Sequence, residues 1–302
     1  MRVFVTGATG FIGTAVVSEL LTAGHAVLGL ARSDAAAAAL TAAGAGVQRG
    51  SLEDHDSLRS GAAAADGVIH LAFIHDFSDL RAAGEVDRRA IEVLGTALAG
   101  SGRPLVTTSG TLVLGANRLG TEDDAAPADS AASHRSASES TTLAFASQGV
   151  RASLVRLPPT VHGEGDHGFV PILIGVAREK GIAAYVGDGQ NRWPAVHRLD
   201  AARLYRLVLE HGAAGARYHG VADEGVPTRA IAEVISRRLN VPVVSKSPDE
   251  AVEHFGWLGR FFGTDAPASS AQTREQVGWS PAHATLLEDL DQPHYFEMRT
   301  PV

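Results

Sequence analysis

The chain has no cysteine, and only four tyrosines, three tryptophans and two methionines among its 302 residues. Without cysteine, neither a disulfide framework nor thiolate chemistry is available. That absence suits a reducing compartment, and a cytoplasmic location is expected. No apolar run approaches the roughly 18 residues of a membrane span. The N-terminus enters an apolar strand directly, without the charged and apolar regions of a secretory leader. A basic excess is also missing. The formal net charge is -8, which argues against nucleic acid or an anionic membrane as partner. With 45% hydrophobic and 20% charged residues, the composition is that of a globular protein with core enough for one or two lobes.

Glycine, by contrast, is placed with purpose. Thr6-Gly7-Ala8-Thr9-Gly10-Phe11-Ile12-Gly13 follows the apolar run Met1 to Val5 and opens a segment, Phe11 to Ala23, with apolar residues at helical spacing. Gly24 stands where that helix should stop. A Gly-rich turn between a buried strand and a helix N-terminus offers backbone N–H groups and a helix dipole to a phosphate. Gly7 allows the tight turn, Gly10 a close approach of backbone to pyrophosphate, and Gly13 close packing of helix on sheet. Thr9, Phe11 and Ile12 complete the expected cradle. Further strands are expected at 25–31, 47–50, 67–72, 103–109 and 150–157. They alternate with helices at 35–43, 57–65, 80–100 and 134–148, which predicts a doubly wound parallel sheet.

In its G-x-x-G-x-x-G form, TGATGFIG resembles the turn of the extended and atypical short-chain dehydrogenase/reductase superfamily. Arg156-Leu157-Pro158-Pro159-Thr160-Val161-His162-Gly163 resembles that superfamily's R-P-x-x-V-Y-G segment, with His162 in place of tyrosine. The resemblance implies an α/β Rossmann domain over 1–160. Residues 161–302 would form mostly a smaller C-terminal substrate lobe, with segments near 194–222 returning to the first domain. It also implies a bound NAD or NADP. At the tip of the second strand Arg32 and Ser33 suit a 2′-phosphate, so NADP is preferred, while Asp34 keeps NAD open. Ser51 and Leu52 fall where the adenine is expected, with Ser51 replacing the usual aspartate. Leu71, Ala72, Thr108, Leu157 and Pro158 would run against the rest of the cofactor.

The chemistry that usually accompanies this turn is missing. Superfamily reductases pair a catalytic tyrosine with a lysine four residues later. None of Tyr185, Tyr205, Tyr218 and Tyr295 has such a lysine, and none lies on the helix after the fifth strand. Counting back from Arg156, Arg135 takes the lysine position. A shift of one residue puts His134 there instead. Arg135 can hold a ribose but cannot serve as a base near neutral pH, whereas His134 can move a proton. The usual Ser/Thr position falls on Gly110, so Ser109 or Thr111 is expected to face the substrate. His162 is a second candidate acid/base, and His75, His167, Trp193 and His197 are expected to touch the substrate. His162 and His167, with four residues between them on a Gly-rich loop, fit no compact zinc pattern, so no metal is expected. The first expectation is an NAD(P)H-dependent oxidoreductase acting on a small or medium carbonyl-like or unsaturated molecule. A nucleotide-sugar epimerase or dehydratase relative is the runner-up. A catalytically silent NADP-binding sensor is the third reading, and a homodimer stays open.

Overall fold

The computed structural model describes residues 1–75, 79–126 and 133–297, apart from the side chains of 133, 134 and 260. The first half alternates strictly: β1 Arg2–Thr6, α1 Phe11–Thr22, β2 Ala26–Ala31, α2 Asp34–Ala42, β3 Gly46–Arg49, α3 His55–Ala63, β4 Gly67–His70, α4 Leu80–Leu98, β5 Pro104–Gly110, α5 Ser133–Ala144 and β6 Arg151–Leu157. Then come β7 Thr160–His162, α6 Phe169–Lys180, β8 Ala183–Val186, β9 Arg192–His197, α7 Arg198–His211, β10 Arg217–His219, β11 Asp223–Pro227, α8 Thr228–Leu239 and β12 Val243–Lys246. The chain closes with α9 Pro248–Phe255, α10 Gly259–Phe262, α11 Ala271–Val277 and α12 Leu286–Leu290.

Seven strands form one sheet in the order β10-β6-β5-β4-β1-β2-β3. All of its pairings are parallel. Strands buried on both faces read as continuous apolar runs, and Val3, Phe4 and Val5 are all fully buried. Val3 and Val5 face α1 and α7, while Phe4 faces the α3–α4 side. The strand order reverses between β1 and β4, and a crevice at such a switch point is where open α/β sheets bind ligands.

The chain leaves this sheet after β6, returns through α7 and β10, and leaves again. α7 packs along α1, and β10 adds to β6 as the sheet's edge. The departing segments build a three-stranded sheet, β11-β9-β7, and a two-stranded one, β12-β8. Their apolar core gathers Val170, Ile174, Trp193, Phe255 and Phe262. Two of these strands escape the sequence reading. β7 has three residues directly behind two prolines, and β11 carries Asp, Glu, Gly and Pro, residues disfavoured in strands. β9 ends at His197, and α7 starts at once at Arg198. The polar stretch after β5 is anchored where it is described. Asn117 and Gly120 donate to the carbonyls of Asp265 and Pro267, and Ser269 donates back to Gly120. Among the described residues no helix is long and apolar enough to cross a membrane.

Candidate functional site

At the C-terminal end of β1 the chain turns through Gly7, at φ 68°. A Cβ on Gly7 would lie 2.8 Å from the Ala72 nitrogen, so the turn rests directly on the segment leaving β4. Gly10 donates to the Gly7 carbonyl at 3.0 Å and serves as N-cap of α1 without any side-chain cap. The first-turn amides of Phe11 and Ile12 thus stay available to an anion. Gly13 has a reason the sequence reading placed elsewhere: a Cβ there would collide with the Gly7 carbonyl of the same turn, before it could meet the sheet. Thr9 is exposed beside the turn, and Phe11 and Ile12 are half-buried. A backbone cradle that tolerates no side chain, set at an uncapped helix N-terminus, fits a dinucleotide's diphosphate.

At the tip of β2, Ser33 caps α2 by accepting from the Ala36 amide at 3.2 Å. Asp34, the residue that kept NAD open, is paired with Arg49 at 2.5 Å, and Arg49 also donates to the Ser33 carbonyl. Arg32 is exposed. Ser51 and Leu52 are half-buried in the loop after β3, and the Ser51 hydroxyl accepts from the Glu53 amide.

A buried chain of polar groups runs beneath the crevice. The Ala72 amide donates to Thr6 Oγ1, which lies 2.7 Å from His70 Nδ1. His70 Nε2–H donates to Asp87 Oδ1 at 3.1 Å, and Ser138 donates to Asp87 Oδ2 at 2.6 Å. Asp87 is 1% exposed. Burial opposes its charge, but His70, Arg135 and Ser138 together hold its pKa below the ordinary carboxylate value. Arg135 Nη1 lies 3.8 Å from Asp87, and its guanidinium sits 3.4 Å above the Phe73 ring. Desolvation pulls the Arg135 pKa down while Asp87 pulls it up. This is a cation held at the crevice and only loosely paired. Asp87 and Phe73 were not anticipated, because each meets Arg135 across about 50 to 60 residues of sequence.

β5 ends in three hydroxyls with different fates. Thr108 Oγ1 donates to the His70 carbonyl at 2.8 Å, so the Tyr205 phenol, also at 2.8 Å, is the donor to it. Burial pushes the Tyr205 pKa up. Ser109 and Thr111 are 5% and 2% exposed, and neither Oγ atom has a hydrogen-bond partner among the described residues. Leu157 and Pro158 are buried at the adjacent end of β6. Below them Arg156 and Glu139 form a fully buried bidentate pair at 2.9 and 2.6 Å, fixing α5 to β6.

The histidines separate. His75 feels Arg135 and His167 electrostatically, and desolvation, then Arg135, push its pKa below the usual imidazole value. His167 meets the Phe11 ring edge-on at 5.7 Å. His75, His167 and Arg135 therefore belong to one crevice with the Gly-rich turn. His162 does not behave as a crevice acid/base. It is 0% exposed, and its Nδ1–H donates to Asp289 at 2.8 Å. The ring lies edge-on to His197 at 5.4 Å. His197 stacks on His283 at 4.8 Å and accepts the Leu199 amide, capping α7. Its pKa is pushed down to about 4, first by desolvation and then by His162 and His283. Trp193, expected to wall the substrate, is a core residue: 1% exposed, with Phe169 and Phe262 packed edge-on at 5.4 and 5.2 Å. The side chain of His134 lies outside the described residues. Among those described, no group of three or more histidine or acidic side chains is arranged to hold a metal ion.

The tail also enters this region. Tyr295 accepts from the Gly163 amide and donates to Asp166, both at 3.1 Å, and Asp166 accepts the Gly168 amide. Asp200 binds the amides of Ala282 and His283 and the His283 ring.

Comparison with known proteins agrees with this arrangement. The profile of the NAD dependent epimerase/dehydratase family matches residues 3–221. An uncharacterized protein of Schizosaccharomyces pombe is 55% identical, over 98% of this chain and 100% of its own length. A 2-alkyl-3-oxoalkanoate reductase of Stenotrophomonas maltophilia is 29% identical, over 82% of this chain and 78% of its own. Among solved structures, a double mutant of the dTDP-glucose 4,6-dehydratase DesIV from Streptomyces venezuelae superposes with a TM-score of 0.79. It is 21% identical, over 99% of this chain and 98% of that one. With its Gly-rich turn set at the switch point of a seven-stranded parallel sheet, the chain belongs to the NAD dependent epimerase/dehydratase family.

Proposed function

We propose that the chain is an NADPH-preferring reductase of a small or medium carbonyl compound. The observation that carries this reading is the pair of buried hydroxyls, Ser109 and Thr111, left without partners among the described residues where β5 opens into the crevice. An unsatisfied buried hydroxyl costs about 1–3 kcal/mol, which a substrate oxygen placed between them would offset. The nicotinamide, when bound, supplies a hydride to the carbonyl carbon. Ser109 and Thr111 hydrogen-bond the oxygen on which negative charge grows, and a proton drawn from solvent at the crevice mouth, beside His75 and His167, completes the alcohol. Arg135 would hold the ribose from the position a lysine usually occupies. Reduction makes less demand on a base than alcohol oxidation, and no tyrosine stands on α5 to serve as one. The Stenotrophomonas relative, named as an oxoalkanoate reductase, supports the same direction.

NADP is favoured over NAD by the tip of β2. Asp34 is engaged by Arg49, so Arg32 and Arg49 together present positive charge beside Ser33. NADPH oxidation across a panel of oxoacids, ketones and enones tests the reaction. Turnover is expected, with Thr111→Val lowering kcat by about 100-fold, the loss typical of one removed oxyanion donor. Arg32→Gln is expected to weaken NADPH by about tenfold and leave NADH unchanged. Tight NADPH binding with no turnover on any panel member would favour the sensor reading.

A further inference from the structure

Arg198 is the first residue of α7, a position where a cation opposes the helix dipole. The acid in the same turn, Asp200, is already committed to two amides and the His283 ring. Asp166, the nearby acid of the facing loop, is committed to Gly168 and Tyr295. Among the described residues Arg198 has no carboxylate within ion-pair distance and no hydrogen-bond acceptor. Two other half-buried arginines are, by contrast, chelated: Arg206 holds both Glu19 and Glu210, and Arg103 binds three carbonyls.

Its surroundings say where the charge is aimed. Gly163 and Gly165, at φ 133° and 92°, carry the loop after β7 closely past it. A Cβ on Gly163 would lie 3.2 and 3.4 Å from Arg198 Cγ and Cδ, so the missing side chain makes room for the arginine stem. At Gly165 the same construction lies 3.6 Å from Arg198 Nη1 and 3.9 Å from the Phe11 ring. The guanidinium itself is 5.2 Å from the centre of that ring. Phe11 is the first residue of α1, whose uncapped N-terminus carries the available amides. A full positive charge without a protein anion therefore stands across one phenyl ring from a helix N-terminus.

We propose that Arg198 closes over the cofactor's diphosphate from the side opposite the Gly-rich turn, with Phe11 positioning the guanidinium. The diphosphate would then be held between backbone amides of the first α/β unit and a side chain brought by α7, which follows the departure of the chain from the sheet. His167, edge-on to the same phenyl ring, borders this clamp. The inference rests on the dinucleotide reading above and adds a residue to it.

Isothermal titration of the full chain tests it with NADPH, with ADP-ribose, which keeps the diphosphate and lacks the nicotinamide, and with UDP-glucose and dTDP-glucose, whose diphosphate belongs to a sugar nucleotide. Arg198→Met is expected to weaken NADPH and ADP-ribose by the same factor, about tenfold, equivalent to about 1.4 kcal/mol. Arg198→Lys is expected to recover most of that loss, and the melting temperature of both variants to stay within about 2 °C of the parent. Unchanged ADP-ribose affinity in Arg198→Met overturns the proposal, whether or not NADPH weakens. So does a loss confined to the sugar nucleotides, which would give Arg198 to a substrate diphosphate. A fall in melting temperature that Arg198→Lys does not repair would assign the residue to the fold and also overturns it. A parent chain that binds none of the dinucleotides sinks the broader reading instead, a result distinct from tight parent binding with an indifferent variant.

Discussion

The Gly-rich turn and the histidine-lined interior behind β7 make a useful pair, because both were marked by the sequence as functional and their residues are held in opposite ways. In the turn, the neighbours of the glycines lie within a few residues or on the adjoining strand. Gly10 bonds Gly7, and Gly13 clears the Gly7 carbonyl. Behind β7, His162 bonds Asp289, 127 residues away, and His283 bonds Asp200, 83 residues away. A side chain whose partners are local carries its meaning in a short motif. One whose partner comes from the far end of the chain reads as reactive until the partner is seen.

Substitutions can break this contrast. The largest effect is expected from Gly13→Val, whose side chain would displace the Gly7 carbonyl and with it the anion cradle. NADPH affinity should fall by about 100-fold, a little under 3 kcal/mol. Titration checks this, and an affinity within threefold of the parent would show that the turn is not the cofactor's seat. An intermediate effect is expected from Asp289→Ala, which leaves His162 fully buried with both ring nitrogens unpartnered. Chemical denaturation should show a loss of about 1–3 kcal/mol, with NADPH affinity unchanged. Coupled loss of cofactor binding would mean that His162 serves the crevice after all.

The smallest effect concerns pH. His197 must stay neutral to accept the Leu199 amide, and its pKa in the folded chain is pushed down to about 4. The unfolded chain, with an ordinary histidine near 6.5, takes up that proton first. Its contribution to stability is therefore complete above pH 6.5 and is lost as the pH falls from there toward 4. Asp289, Asp200, His162 and His283 face the same ring, and Asp289 lies below the usual carboxylate value, so its own loss starts at lower pH. Thermal melts of His197→Asn across this window should show a flatter profile than the parent. A parallel profile would move the titration elsewhere.

Much of the sheet was legible because parallel strands buried on both faces leave apolar runs, and because a helix announces its end through a glycine such as Gly24. β7 and β11 were not legible: three residues behind Pro158-Pro159 and a run of Asp-Glu-Gly-Val-Pro are made strands by the neighbour β9, not by their own propensity. The same holds in the crevice. Ser109 and Thr111 could be named from their place at the end of β5, but the separate fate of Thr108 required Tyr205, 97 residues on. Trp193 was misread because a large indole suits a wall and a core equally well, and only Phe169 and Phe262 decide between them.

The route of the chain through β10 has a practical meaning. A fragment ending near residue 160 would keep the whole Gly-rich motif yet lose the helix that covers α1 and the strand that finishes the sheet. It would present β6 as a raw edge and uncover Val16, Leu20 and Val155, apolar positions that α7 now shields. Such a piece is expected to aggregate and not to bind nucleotide, so the motif that looks most portable in the sequence is among the least separable parts of the molecule.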